Sequence, residues 1–316
     1  MTGKDMRKKA LLLINGIAGT AQMGHRVWHI IETLVREGYK VSAWPILPSE
    51  GLGSEEILSQ EESEGQTWDL IVCCGGDGTL MHVVNGVMRL SEKPVLGYIP
   101  AGSTNDFARS AGIPSQYEDA LRAIVSGRKF RYDIGRFNDR YFNYVAAFGA
   151  FVAVTYTTDQ SFKNIFGHAA YVLNGISTLG QSISYKCHMR VRADGFEAED
   201  DYVFGLVYNS TSVGGIRLRD SADVRLDDGK FGLLLIKAPE NLAEAGQIIQ
   251  GFLDDAQNNP DSLRENSYVI SLREITRLEI SAPAGAAWTL DGEYGGEPED
   301  VVIEVVPGAM QIMVPR

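Results

Sequence analysis

Across residues 1–131 the apolar positions come in two alternating patterns. Ala10–Asn15 (ALLLIN) is a short unbroken apolar run, which a strand buried on both faces requires. A loop with Gly16, Gly19 and Gly24 follows. Val27, Ile30, Ile31, Leu34 and Val35 then recur at helical spacing, and Gly38 ends that helix. Tyr39–Leu47 predicts a second strand, Glu55–Glu64 an acidic helix, and Asp69–Cys74 a third buried strand. Leu80, Val83, Val84, Val87 and Met88 mark the next helix, and Val95–Ile99 a fourth strand. Strand and helix in strict alternation predict a mostly parallel sheet covered by helices, a Rossmann-like three-layer α/β domain.

From about Tyr132 the period shortens. Tyr132–Phe137 and Arg140–Phe148 flank Asn138-Asp139, a hairpin signal, and Tyr185–Arg192 and Tyr202–Tyr208 flank Ala193-Asp194-Gly195 in the same way. Phe231–Ile236, Ile275–Ile280, Val301–Val305 and Met310–Val314 predict further short strands. Two helices interrupt them. One carries Phe162, Ile165, Phe166, Ala169, Leu173, Ile176 and Leu179, the other Leu242, Ala245, Ile248, Ile249 and Phe252. The expectation is α/β + β: residues 1–131, then an antiparallel β-sandwich with helical insertions over 132–308. The strand near 309–316 is a candidate to return to the first domain. No internal repeat or low-complexity tract is visible.

Composition narrows the function classes. With 44% hydrophobic and 22% charged residues the chain is globular rather than disordered. The 29 basic against 41 acidic side chains give a net charge of −12, which excludes a broad basic face for nucleic acid. Two uncharged stretches invite a membrane reading. Tyr141–Thr158 is interrupted by Asn143 and Gly149, and Asn164–Tyr185 is polar throughout, so both fit hydrocarbon poorly. The apolar run Ala10–Ile14 is too short for a signal peptide. Three cysteines, two of them adjacent in an apolar run (Cys73, Cys74), make no disulfide framework and suit a reducing cytoplasm.

The polar chemistry gathers where strands end. Gly75-Gly76-Asp77-Gly78-Thr79 closes one buried strand and opens a helix, the place where α/β sheets bind ligands. Glycines let a backbone approach a polyphosphate, and a helix start offers unpaired N–H groups. Asp77 would repel a phosphate unless a divalent cation lay between; alternatively the segment is a tight turn with Asp77 as cap. A second loop, Ile99 to Arg109 (IPAGSTNDFAR), follows another strand, and Asn15-Gly16-Ile17-Ala18-Gly19 follows the first. Three polar, glycine-bearing loops at successive strand ends point to one ligand crevice.

These motifs, with LDDGKFG (Leu226–Gly232) and LDGEYGG (Leu290–Gly296), resemble the soluble bacterial diacylglycerol kinase family, which belongs with the sphingosine kinases and shares GGDGT with NAD kinases. The resemblance covers almost the whole chain in order. It implies an NAD kinase/phosphofructokinase-like nucleotide-binding domain, a lipid-binding β-sandwich, and a nucleotide cleft between them. It places ATP on Asn15, Gly16, Ile17, Ala18 and Gly19, on Gly76, Asp77, Gly78 and Thr79, and on Gly102, Ser103 and Thr104. Ile46, Gly75, Leu80 and Asn105 extend these contacts, and Arg109 is assigned to substrate. Asp77 would face the phosphates through Mg²⁺. A structural Mg²⁺ is implied at Asp228 with the carbonyls of Arg225 and Lys230, joined through water by Asp227, Asp106 and Asp133. Such oxygen donors suit a hard octahedral cation; by residue type alone Asp227-Asp228-Gly229 reads as a simple turn.

The acceptor hydroxyl needs a carboxylate to take its proton as the P–O bond forms. By resemblance Glu293 is that base, with Asp291 beside it orienting metal or substrate; residue type does not separate the two. The chain departs from the family at Gly16 and Thr20, where Pro and a basic residue are usual, and at Met81-His82, where Asn-Glu is usual. The expected activity is transfer of the γ-phosphoryl of ATP to diacylglycerol, giving phosphatidate. The rivals are a kinase of a sphingoid base, an isoprenol or NAD, and a nucleotide- or lipid-binding regulator that has lost turnover. The expected setting is the cytoplasm at the inner membrane surface, touched transiently through Lys4, Arg7, Lys8, Lys9, Arg128, Lys129 and Arg131, with a homodimer as an option the family allows. His25 and His29 stand at i,i+4 without a third zinc ligand. The Phe162/Phe166 stripe is a packing face, part of which is expected to line an acyl slot.

Overall fold

The computed structural model describes residues 8–16, 23–149, 186–210, 212–213, 216–217, 225–241, 243–248 and 267–316. The chain divides into two compact units, Met1–Tyr132 with Gly308–Arg316, and Asp133–Pro307.

The first unit runs β1 (Lys8–Ile14), α1 (Met23–Arg36), β2 (Tyr39–Pro45), α2 (Ser54–Ser63), β3 (Leu70–Gly75), α3 (Asp77–Arg89), β4 (Val95–Pro100), α4 (Asp106–Ser110) and α5 (Tyr117–Ser126). Its strands lie side by side in the order β2-β1-β3-β4, all parallel. Ile312, near the chain's end, adds a further parallel pairing with Leu96. Ala10, Leu12, Leu70, Val72, Cys74 and Ile99 pack on one face against Ile30 and Leu34 of α1 and Tyr117, Leu121 and Ile124 of α5. The alternate residues Leu11, Leu13, Ile71 and Cys73 are buried as well. Successive side chains of a strand point to opposite faces, so both faces are covered, which is why these runs are unbroken. Cys73 and Cys74 belong to this core, and burial pushes the Cys74 thiol up to about 12, leaving it unreactive.

Register positions the loops. Ile14 lies opposite Cys74, Cys74 opposite Ile99, and Gly75 opposite Pro100. The carboxyl ends of β1, β3 and β4 are therefore level, and the residues that follow them emerge together.

The second unit is antiparallel. Its strands are β5 (Arg128–Phe137, entering from the first unit), β6 (Arg140–Phe142), β7 (Val145–Gly149), β8 (Cys187–Ala193), β9 (Phe196–Tyr208), β10 (Ser212–Val213), β11 (Ile216–Arg217), β12 (Phe231–Lys237), β13 (Val269–Ile275), β14 (Arg277–Ser281), β15 (Trp288–Leu290), β16 (Glu293–Gly296) and β17 (Asp300–Val314, leaving into the first unit). The long β9 pairs with β8, β7 and β12, while β15 joins β7 to β16. Together the two units hold parallel and antiparallel strands with helices. Trp288, fully buried on β15, meets Phe137 edge-to-face (ring centroids 5.1 Å apart) and Phe148 at a tilt (4.9 Å).

Three elements differ from the sequence pattern. The run Arg140–Phe148 is not one strand: Asn143 and Tyr144 leave the ladder between β6 and β7, for a reason given below. Ile275–Ile280 is broken at Thr276, whose hydroxyl and N–H turn to Asp194, and the preceding Glu274 has φ +65°. Val301–Val305 and Met310–Val314 are one strand, β17, because Pro307 and Gly308 (φ +56°) stay within it while its two halves take different partners. Of the two expected helical insertions, Phe162 to Leu179 lies outside the described residues. In the other, residues 243–248 are helical, with Ala245 and Ile248 buried, while Leu242, Ile249 and Phe252 lie outside them. Among the described residues no helix is long and apolar enough to cross a membrane.

The aromatic cluster around Trp288 yields the first prediction. Trp288→Ala removes the ring on which Phe137 and Phe148 both rest, and should cost about 3–5 kcal/mol. A large drop in unfolding midpoint, with loss of near-UV circular dichroism, checks it.

Candidate phosphoryl-transfer site

The level strand ends bring the loops of the first unit into contact. The Asn15 N–H donates to the Cys74 carbonyl (2.9 Å) and that of Ala101 to the Gly75 carbonyl (2.7 Å). Asn15 Nδ2 donates to Thr79 Oγ1 at 2.9 Å. A Cβ on Gly102 would lie 2.8 Å from the Gly76 Cα, so the two loops meet backbone to backbone and only glycine fits. Asn105 (φ +51°) holds its loop in shape: its Oδ1 accepts from the Gly102 N–H (3.0 Å) and its Nδ2 donates to the Gly102 carbonyl (2.8 Å).

Helix α3 starts at Asp77 from Gly76, and no side chain caps it. The first turn of an α-helix directs its N–H groups out of the helix end, a geometry suited to receiving an anion. Asp77 instead reaches across to the next loop, where its carboxylate accepts from the N–H groups of Asp106 (3.0 Å) and Phe107 (3.3 Å) and so caps α4. Asp106 is buried, with Arg109 Nη1 3.4 Å from its Oδ1, while Arg109 Nη2 donates to the Thr104 carbonyl at 3.4 Å. Ser103 is exposed, Gly78 half-buried and Leu80 buried. Ile46 is buried at the end of β2, with its N–H on the Ile14 carbonyl. Ile17, Ala18 and Gly19 lie outside the described residues. Met81 is buried in the core, and His82 turns to α2, with its Nδ1 3.1 Å from Glu55 Oε1. His29 is engaged by the Tyr117 hydroxyl at 2.7 Å.

Two polar turns stand out in the second unit. In the first, buried Asp133 accepts from the Gly229 N–H at 2.6 Å through Oδ2, and its own N–H donates to the Leu226 carbonyl. Asp228 Oδ1 accepts from the Lys230 N–H (3.0 Å), and Asp227 pairs with Arg225 (3.2 Å). Desolvation pushes the Asp228 carboxyl up, the Lys230 N–H opposes this, and Asp133 adds to the rise. Two carboxylates close enough for Asp133 to raise Asp228, beside turn carbonyls, are a donor set that a hard cation fits. Among the described residues no three His, Cys, Asp or Glu side chains gather closely enough to chelate a metal by themselves, so carbonyls or water would have to complete the shell.

The second turn separates two neighbouring carboxylates. Asp291 is 3% exposed, at φ +48°, and both its oxygens are engaged. Oδ2 accepts from the backbone N–H (2.6 Å) and Nδ2 (2.9 Å) of Asn143, and Oδ1 from the N–H groups of Tyr144 (3.0 Å) and Val145 (3.1 Å). This is why the predicted strand breaks at Asn143 and Tyr144. Burial pushes the Asp291 carboxyl up to about 6, against the pull of these four donors. Gly292 follows at φ +90°, and the Glu293 carboxylate is exposed. Asp291 is thus sealed within the protein, while Glu293 is open to an incoming group.

Sequence reasoning passed over Asn143 and Asn209. Asn209 is fully buried, with its N–H on the Tyr144 carbonyl (2.8 Å) and Nδ2 3.4 Å from that of Asp133. The available signal was a lone Asn in an apolar strand run, at Asn143 and again at Asn209. Such residues are retained where they satisfy buried polar groups.

Asp291→Asn keeps the shape of the side chain but sets an amide donor against the N–H groups it must accept. It should cost about 1–3 kcal/mol and lower Tm clearly, whereas Glu293→Gln, on an exposed side chain, should leave Tm unchanged. Thermal denaturation of the two variants side by side checks the contrast.

A family model of the diacylglycerol kinase catalytic domain matches residues 9–137. A diacylglycerol kinase of Staphylococcus aureus (strain bovine RF122 / ET3-1) is 32% identical over 293 residues, covering 92% of this chain and 88% of its own. That of strain MRSA252 gives the same identity and coverage. The crystal structure of a diacylglycerol kinase from Bacillus anthracis str. Sterne superposes with a TM-score of 0.74 at 22% identity, covering 98% of each chain, a likeness of fold. With that identity sustained over nearly its whole length, the chain belongs to the diacylglycerol kinase family and is a lipid kinase.

Proposed function

We propose that this kinase transfers the γ-phosphoryl group of ATP to the free hydroxyl of diacylglycerol, yielding ADP and phosphatidate. The observation that supports this reading is the level register of β1, β3 and β4, which gathers Asn15, the start of α3 and the Gly102 loop into one rim. Asn15, Gly76 to Thr79, and Gly102 to Asn105 bind the phosphates through backbone N–H groups and small polar side chains. The acceptor oxygen attacks the γ-phosphorus, the bond to the β-bridging oxygen breaks, and the hydroxyl proton passes to Glu293. Of the two carboxylates in its turn, Glu293 takes this role because it is exposed, and Asp291 supports the turn from inside.

Mg²⁺ suits the Asp133/Asp228 turn, with the carbonyls of Arg225 and Lys230 as further donors; when bound, a divalent cation neutralises charge and stiffens the turn. The antiparallel second unit is read as the lipid-binding β-sandwich. Transient contact with the inner membrane surface through Arg128, Lys129 and Arg131, all exposed, would bring the enzyme to its substrate.

The test is transfer from labelled ATP to diacylglycerol in mixed micelles, with sphingosine, an isoprenol and NAD as competing acceptors. Diacylglycerol should be labelled fastest; preference for another acceptor refutes the proposed substrate. Glu293→Gln should lower kcat by about 10²-fold or more, the scale of general-base catalysis, while ATP still raises Tm. Gly102→Ala should abolish that ATP-dependent rise by forcing the two loops apart.

A further inference from the structure

We propose that Asn143 is a positioning residue for phosphoryl transfer, holding Glu293 in place through Asp291. The inference rests on the reading of Glu293 as the base. Asn143 is buried, and it places two donors, its backbone N–H and its Nδ2, on the single oxygen Oδ2 of Asp291, at 2.6 and 2.9 Å. The other oxygen is held by Tyr144 and Val145, so the side chain of Asp291 has one orientation. That orientation requires Asp291 to adopt the left-handed conformation (φ +48°), uncommon for a residue with a Cβ. Gly292 turns at φ +90°, and Glu293 begins β16 two residues after the clamp.

A turn needed only for folding would not call for this arrangement. A buried carboxylate is an expensive way to close a hairpin, since its desolvation must be offset by hydrogen bonds, and the carboxyl is pushed up to about 6 even with four donors on it. Strained backbone and buried charge brought together beside an exposed carboxylate are the marks of a group held for chemistry. Of the four donors three are backbone N–H groups; only the Nδ2 of Asn143 is a side chain, so this residue type is the part of the clamp that a substitution can remove. Small displacements of a catalytic base are costly, because proton transfer requires hydrogen-bond reach.

The experiment compares wild type, Asn143→Ala, Asn143→Ser, Glu293→Gln and the Asn143→Ala/Glu293→Gln double variant in the diacylglycerol assay, with Tm and the ATP-induced rise in Tm measured on each. Asn143→Ala should lower kcat by about tenfold or more with KM for ATP and the ATP-induced rise unchanged. Asn143→Ser, which restores a hydroxyl donor, should recover part of the loss. The double variant should be no slower than Glu293→Gln alone, since a residue acting through Glu293 has nothing left to position. Equal kcat in wild type and Asn143→Ala, an additive loss in the double variant, or failure of both Asn143 variants to fold would overturn the proposal. If Glu293→Gln itself keeps full turnover, it is the base assignment that falls, and this inference with it.

Discussion

Withdrawal of the Asp291 carboxylate from water dictates the chain path on both sides of its turn. An ionised carboxyl in the interior must recover its lost hydration from protein donors. Here four N–H groups converge on it, and three of them belong to consecutive backbone positions, Asn143 to Val145. Backbone N–H groups that serve a side chain cannot serve a strand ladder, so β6 and β7 must separate there. On the other side, both oxygens reach these donors from a left-handed residue, after which Gly292 reverses the chain and Glu293 comes to the surface. The N–H of Asp291 closes the arrangement by donating to the Val145 carbonyl at 2.8 Å.

The first unit meets a comparable demand with backbone instead of charge. Its loops approach so closely at Gly76 and Gly102 that a single methyl group would collide. Asp77 ties them together by capping the short helix that follows the second loop. The acidic side chain in GGDGT thus has a structural occupation, spanning two loops, in addition to whatever it does toward a nucleotide. Two departures from the family pattern have structural occupations as well: Met81 is buried in the core and His82 meets Glu55.

How far this could be read from the chain depends on the range of each interaction. The buried parallel strands were legible because covering both faces leaves a continuous apolar run, as in Ala10–Asn15 and Asp69–Cys74. The loops were legible because glycines and small polar residues cluster at strand ends. Residue type could not rank Asp291 against Glu293, because one residue's burial is set by a turn 148 positions away. Asn143 escaped for the same reason: in its local run it reads only as a polar interruption. Pro307-Gly308 signals a break, yet β17 continues through it because its two halves are held by different partners, β14 and β4.

Charge supplies the last constraint on the proposed chemistry. Residues 15–20, 75–80 and 100–109 contain one basic side chain, Arg109, and it already faces Asp106 and the Thr104 carbonyl. In these three segments a triphosphate would meet backbone dipoles, small polar side chains and the carboxylates of Asp77 and Asp106, with Arg109 as their one formal positive charge. Helix-terminal N–H groups amount to about half a charge, far short of what a triphosphate carries. On the proposed reading a divalent cation accompanying the nucleotide would offset the charge that these three segments leave unmet.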